Sequence, residues 1–461
     1  MAITRMPFVL AALAVLAGAG TVRAVEVDSL DTSAANVREI VGRARAAAQS
    51  AHATAVPGAA LPGAPAASAD DEVTREIVVF KRGVSAERRR EILARMGSVT
   101  HDLRLINSAS VAMPKSAAMH LESTLVSSGD SADIERVEPD LRQNWLQAAP
   151  EAPSAQPAVG AGRAPEVEPA SLRDRPVVPW GVSDVNASAM WGVTKGEGVK
   201  VAVVDTGVDA SHPNLRVVGG ANIIDPRASY ADDHGHGTHV AGTIGARQGP
   251  TGVVGVAPEV DLYAVKVLDS QGSGTYSDII AGIQWCAENG IKVANFSLGG
   301  SNGTQALEDA VIAAVRSGVT IIAAAGNSGG AVGYPGAYRD VIAVAAVDAN
   351  GDIANFSSRG PEVALAGPGV DVLSTSPGNR YATYSGTSMA TPHIAGLAAL
   401  WIGAQPEGRA VTPTDVRNAL IRAARPLTPR RGQPAIPAEQ QGAGVINAAR
   451  LLPAAPAPSA R

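Results

Sequence analysis

The sequence predicts an α/β protein: a mostly parallel sheet with helices on both faces, preceded by a small ferredoxin-like α+β unit. Three observations predict it. From Pro176 to about Leu452, continuous apolar runs alternate with helical stretches, the pattern of a parallel sheet covered on both faces. From Glu76 to Asp140 the order of elements reads β-α-β-β-α-β, a split βαβ unit. Between them, Leu146 to about Glu168 is rich in Ala and Pro and poor in large apolar residues, which reads as a linker.

The 461 residues suffice for one large domain and a smaller one. The formal net charge is −5, with no basic concentration, which argues against a nucleic-acid partner. Arg5, the apolar run Met6 to Gly20, and Val22-Arg23-Ala24 read as an export signal with its cleavage site. No other stretch is long and apolar enough to span a bilayer, so a secreted or periplasmic protein is expected. Cys286 is the single cysteine. An internal disulfide is impossible, and Cys286 is expected to be a core residue. The expected organisation is a signal peptide at 1–24, an Ala/Pro-rich disordered segment at 25–72, a small domain at 73–141, a linker at 142–175 and a large domain at 176–461.

In the small domain, Ile77 to Phe80 is a strand and Ser85 caps a helix that runs to Met96. Val99 to Leu105 and Ser108 to Met113 are strands that turn at Asn107. Lys115 to Val126 is a helix, and Ile134 to Val137 a last strand. In the large domain, strands are expected at 199–204, 261–268, 291–296, 319–325 and 341–347. Helices are expected at 237–245, 277–289, 304–317, 388–402 and 414–424. Active sites of such sheets lie beyond the carboxyl ends of the strands.

Four residues near that rim carry the functional argument. Ser388 stands where the small-residue turn Gly386-Thr387 meets an apolar helix. It is either a helix cap or a nucleophile, and a nucleophile needs a base, an orienting acid and an anion donor. Asp205 ends the first apolar strand and is either a turn residue or a rim carboxylate. His236 sits between Gly235 and Gly237 at a helix start, with His234 at the rim and His239 pointing inward. His236 and His239 also permit a zinc pair, although the usual spacing of four with an intervening Glu is missing. Asn327 follows the strand ending at Ala325. It is either a turn asparagine or an amide donor to an oxyanion, with the Ser388 N–H as second donor.

Three segments together resemble the subtilisin-type serine proteases: Val203-Val204-Asp205-Thr206-Gly207-Val208-Asp209, His236-Gly237-Thr238-His239-Val240-Ala241-Gly242-Thr243 and Gly386-Thr387-Ser388-Met389-Ala390-Thr391-Pro392. Ala323-Ala324-Ala325-Gly326-Asn327 is similar to the family's oxyanion segment. The order Asp, His, Ser is that of subtilisin. The likeness spans about Pro179 to Leu452, and Glu76 to Asp140 resembles the family's inhibitory propeptide.

The resemblance implies a secreted serine endopeptidase made as a zymogen. Asp205, His236 and Ser388 would form the triad, with Asn327 and Ser388 as the oxyanion hole. Its partners would be peptide and protein substrates and its own propeptide, and a monomer is expected. Gly272, Ser273 and Gly274 would flank an extended substrate on one side, and Ser297, Leu298 and Gly299 on the other. Ala324, Ala325 and Gly326 would wall the first pocket, with Gly333 as its floor. No acid is evident there, so large uncharged residues are expected before the cut. Tyr276, Ile279 and Leu298 would form an apolar pocket further out. Thr206, the residue after Asp205, argues against the dibasic-cutting relatives.

No cofactor is required by this reading. The positions matching the family's strong calcium site are Pro176, Asn214 and Arg247 to Val253, which lack the needed oxygens. That site is expected to be absent, with a weak calcium site elsewhere left open. Asp225, Asp232 and Asp233 are expected to be a solvated loop. Two other readings are a silent peptide-binding module of the same fold and a metal-dependent hydrolase using His236 and His239.

Overall fold

The computed structural model describes residues 72–146, 172, 175–429 and 434–452. The expected signal peptide, the segment after it and most of the linker lie outside the described residues.

The small domain runs β1 (Val73–Phe80), α1 (Ala86–Met96), β2 (Ser98–Leu103), β3 (Ser108–Pro114), α2 (Lys115–Met119), α3 (Leu121–Ser128) and β4 (Ile134–Pro139). Ser85 caps α1 by accepting the Arg88 N–H. One helix was expected over 115–126; His120 breaks it into α2 and α3. The sheet order is β2-β3-β1-β4, all antiparallel. Alternation along β1 sends side chains to two faces. Val78 and Phe80 pack with Ile92, Val111 and Leu125. Ile77 and Val79 join a core that belongs to the large domain. This sheet is therefore covered on one side by its own helices and on the other by the large domain.

A strand not expected from the sequence follows, β5 (Arg142–Asn144). The large domain then contributes β6 (Pro176–Val177), α4 (Trp180–Asp184), β7 (Lys200–Asp205), β8 (Val217–Asn222), α5 (His236–Gly245), β9 (Gly252–Val253), β10 (Asp261–Lys266), β11 (Ser273–Thr275), α6 (Tyr276–Glu288), β12 (Val293–Phe296), α7 (Gln305–Arg316), β13 (Thr320–Ala324), β14 (Ile342–Val347) and β15 (Val363–Pro368). It ends with β16 (Val372–Ser376), β17 (Arg380–Tyr384), α8 (Thr387–Gly403), α9 (Pro413–Ala423), β18 (Ala424–Arg425), α10 (Ala438–Gln441) and β19 (Val445–Ile446).

Nine strands form the main sheet in the order β18-β19-β15-β14-β13-β12-β7-β10-β8. All neighbours are parallel except β18 and β19. From β7 the chain first goes outward through β8 and β10, then crosses to β12, β13 and β14. The order thus reverses beside β7, and a crevice opens there at the carboxyl ends of the strands. Asp205 ends β7, Ser297 follows β12 and Asn327 lies just past β13.

Two cores flank the sheet. Helices α5 and α8 lie in one, with Val203, Val240, Ile244, Ile394 and Leu397. Helices α6 and α7 lie in the other, with Val204, Ile279, Ile283, Leu307 and Val311. α8 is buried from Thr387 to Trp401, as its all-round apolar sequence requires.

The turn into α5 is built by one carboxylate. Asp232 accepts from Thr206 Oγ1, from the His234 and Gly235 N–H groups, and from both N–H and Oγ1 of Thr238. It is not the solvated loop acid expected from the sequence. Gly235 precedes the helix at φ 106°, a left-handed conformation that glycine adopts without strain. Asp232→Ala strands these donors and is expected to cost about 3 kcal/mol of stability, measured by guanidinium unfolding.

Candidate active site

Asp205 is fully buried (0% exposed) at the end of β7. Its Oδ1 accepts the Thr206 N–H at 2.7 Å and the His236 Nδ1–H at 2.8 Å. Oδ2 has no hydrogen-bond partner among the described residues. His236 opens α5, and the helix approaches β7 so closely that a Cβ on Gly237 would collide with the Gly207 carbonyl. The Gly237 N–H donates to Thr206 Oγ1 at 3.0 Å, so Thr206 ties the end of β7 to the start of α5.

Burial alone would lower the pKa of His236. The charge and hydrogen bond of Asp205, with Asp232 behind it, outweigh burial and hold it above the ordinary histidine value. The neighbouring ring of His234 lies 6.3 Å from that of His236. Burial, then the charge of His236, hold its pKa below the usual value.

Ser388 lies in the first turn of α8, after a cap position filled by Gly386. It is therefore not the helix cap. Its hydroxyl is 9% exposed as a residue and donates to the Ser297 carbonyl at 3.0 Å. Ser297 Oγ in turn donates to the Ser388 carbonyl at 2.7 Å. No bond between Ser388 and His236 is formed in this state; catalytic contacts of this kind often tighten only with substrate.

Asn327 is oriented by Thr387. Its Oδ1 accepts both the Thr387 N–H and the Thr387 hydroxyl at 2.9 Å, which sets Nδ2 as the donor end of the amide. Gly326 N–H donates to the same hydroxyl at 3.1 Å. In the first turn of α8, Thr387 N–H goes to Asn327 and Met389 N–H to Gly386. The Ser388 N–H has no partner among the described residues.

The cleft holds a segment of this same chain. β5 pairs antiparallel with β11, with Asn144 opposite Ser273 and Gln143 opposite Gly274. The Trp145 N–H donates to the Gly272 carbonyl, and its carbonyl accepts the Gly299 N–H, both at 2.9 Å. The Trp145 ring is fully buried (0% exposed), edge-on to Tyr276 at 5.0 Å, in the core that contains Ile279 and Leu298. Its Nε1–H donates to the Gly274 carbonyl at 3.0 Å. The two expected substrate-flanking segments thus lie on either side of one extended strand.

Ala324 ends β13, Ala325 N–H donates to the Val344 carbonyl, and Gly333 N–H donates to the Ala325 carbonyl. Gly333 also backs on Gly300, whose carbonyl a Cβ at 333 would approach to 3.1 Å.

The zinc pair does not form. His239 is buried and its Nε2–H donates to the Val372 and Ala382 carbonyls at 3.0 and 3.2 Å. Burial drives its pKa down to about 3. His393, close to Ser388 in sequence, is buried in α8, donates Nδ1–H to the Met389 carbonyl and is pushed by burial to about 4. Among the described residues no cluster of three His, Cys, Asp or Glu could hold a metal. Where the family's calcium site would fall, Asn214 Nδ2 donates to the Arg247 and Thr251 carbonyls at 3.3 and 3.4 Å. Its Oδ1 accepts the Tyr381 hydroxyl.

Sequence reading missed Trp145, Thr206, Asp232, Lys266 and Thr387. Trp145 was the one available signal: a large aromatic in a stretch otherwise poor in them.

The profile of the subtilase family matches residues 196–444. Over 249 residues the chain is 50% identical to subtilisin DY of Bacillus licheniformis, covering 53% of this chain and 90% of that protein. It is 52% identical over 237 residues to subtilisin E of Bacillus subtilis, covering 50% of this chain and 62% of the relative. Alkaline elastase YaB of a Bacillus species is 50% identical over 236 residues, again 50% and 62% of the two chains. A parallel sheet with this crevice, and a family match over more than half of its length, make this chain a member of the subtilase family, a serine endopeptidase of the subtilisin type.

Proposed function

We propose that Ser388, His236 and Asp205 carry out acyl transfer on peptide bonds, in an exported enzyme made as a zymogen. The observation that carries this reading is the 2.8 Å bond from His236 Nδ1–H to a carboxylate wholly out of water. It fixes the tautomer that leaves Nε2 as a proton acceptor. The Ser388 hydroxyl turns from the Ser297 carbonyl toward Nε2 as it attacks the scissile carbonyl. His236 takes its proton and later gives it to the leaving amine. The imidazolium formed in between is stabilised by Asp205. Asn327 Nδ2 and the Ser388 N–H receive the oxyanion. In subtilisin, loss of the side-chain donor costs about 10²–10³ in kcat.

Substrate takes the place of residues 142–146, as a strand between β11 and Ser297-Leu298-Gly299. Main-chain bonds give affinity, and the pocket filled by Trp145 selects a large apolar side chain. Ala324, Ala325, Gly326 and Gly333 offer no charge to the residue before the cut, so large uncharged residues are preferred there. The domain at 73–141 is the inhibitor, and its tail is the first substrate. Its carboxylates Asp140 and Glu138 accept the Ser277 and Ala306 N–H groups at the starts of α6 and α7.

Fluorophosphonate labelling tests the reading. Label on Ser388, lost in Ser388→Ala, is the expected result; a processed enzyme without label would sink it. The base must be neutral, so kcat/KM rises with pH through the His236 pKa, above the ordinary histidine range. Asp205→Asn moves that limb down and lowers kcat by about 10⁴. Trp145→Ala removes up to about 3–5 kcal/mol of burial from the bound tail, so the lag before full activity shortens in progress curves. The Asn214 amide donates to the Arg247 and Thr251 carbonyls and so ties that loop together; Asn214→Ala is expected to lower the unfolding midpoint.

A further inference from the structure

Lys266 closes β10, in register with Asp205 of β7 and Asn222 of β8. Its side chain is 6% exposed. Nζ donates to the Thr206 carbonyl at 2.6 Å, the Leu268 carbonyl at 2.8 Å and Asp233 Oδ1 at 2.6 Å. An ammonium has three donors and no acceptor, and here each donor is used once. The partners lie on three different rim loops. Thr206 follows Asp205 and gives it an N–H. Asp233 belongs to the loop that delivers His236. Leu268 leads through Asp269, whose N–H donates to the Ser273 carbonyl, to the edge that pairs with β5.

An apolar side chain at the end of a buried strand would avoid the desolvation of an ammonium. We propose that Lys266 is a positioning residue for peptide hydrolysis. One buried ammonium sets the separation of the Asp205 loop, the His236 loop and the substrate-pairing edge. The proposal rests on the acyl-transfer reading above. It goes beyond that reading in tying triad geometry to a group that touches neither substrate nor reacting atoms. The Leu268 and Val267 N–H groups both donate to the Asp205 carbonyl, at 3.2 and 2.9 Å. The junction therefore closes around Asp205 from both sides: Thr206 ahead of it and Leu268 across from it.

The test uses the full chain with Lys266→Met, Lys266→Arg and Asp233→Ala. Active sites are titrated with fluorophosphonate, kcat and KM are read on a short chromogenic peptide, and the deshielded His236 Nδ1–H resonance is followed by NMR. Displacement of a catalytic group by about 1 Å costs about 100-fold, so Lys266→Met is expected to lose 10–100-fold in kcat per titrated site, with KM changed less than about twofold. The His236 resonance shifts in the same variant. Lys266→Arg recovers only part of kcat, because a planar fork cannot address three divergent acceptors.

Wild-type kcat and an unmoved resonance in Lys266→Met overturn the proposal. Full kcat in Lys266→Arg overturns it as well, since charge alone would then suffice. If Lys266→Met does not fold, Asp233→Ala decides. It removes only the half-exposed acceptor, and a resonance and kcat identical to wild type overturn the idea. A wild-type enzyme that takes no label at Ser388 instead overturns the reading beneath it, before any variant is compared.

Discussion

The Asp205 carboxylate is the constraint on which the site depends. It lies out of water at the end of a central strand, where an unpaired charge would be prohibitive. It is tolerated because Thr206 N–H and His236 Nδ1–H reach it. Those donors must themselves be held. Thr206 is gripped through its hydroxyl by Asp232 and through its carbonyl by Lys266. His236 is held by the close docking of α5, which glycine at 237 permits. A buried charge thus imposes order on two loops and one helix start. The same order puts the imidazole where the proposed reaction needs it.

Much of this was legible in the sequence because the signals were local. Continuous apolar runs gave the parallel strands, and the residue after each run fell at the rim. The small domain was legible for the same reason, down to Ser85 as a cap. What escaped was non-local. β15 was not among the expected strands; it is a strand because β14 and β19 flank it. Lys266 fell inside the expected strand at 261–268 without a role, since nothing nearby in sequence reveals Thr206, Asp233 and Leu268 as its partners. β5 has no apolar run and fell within the expected linker at 142–175. It is a strand only because β11 offers an unpaired edge.

Ser388 shows where a local signal leaves two roles open. A serine at a helix start reads as a cap, yet Gly386 holds that position and the serine hydroxyl points to Ser297. The two roles differ by two residues of register, within the ordinary uncertainty of helix ends. The consequence is chemical. A capping oxygen would accept from the backbone and be spent. A residue two places into the helix keeps its hydroxyl available.

The three helix starts around the cleft can be compared donor by donor, since each helix begins with N–H groups that its own turns cannot satisfy. In α6 the first N–H goes to the Leu141 carbonyl, the second to Asp140 and the third to Thr275. In α7 the second goes to Glu138 and the third to Thr304. The large domain therefore caps the third donor of each helix itself, and the small domain supplies acceptors for the second. In α8 the first is taken by Asn327, and the second, on Ser388, is the donor proposed for the oxyanion. Second donors at α6 and α7 have no part in the proposed reaction and are met by Asp140 and Glu138 of the small domain. The second donor of α8 is the one proposed to meet a transient anion, and a preorganised donor has its largest effect on such a charge. One structural need, an acceptor for the second N–H of a helix, is thus met by the small domain on two helices and left for the proposed catalysis on the third.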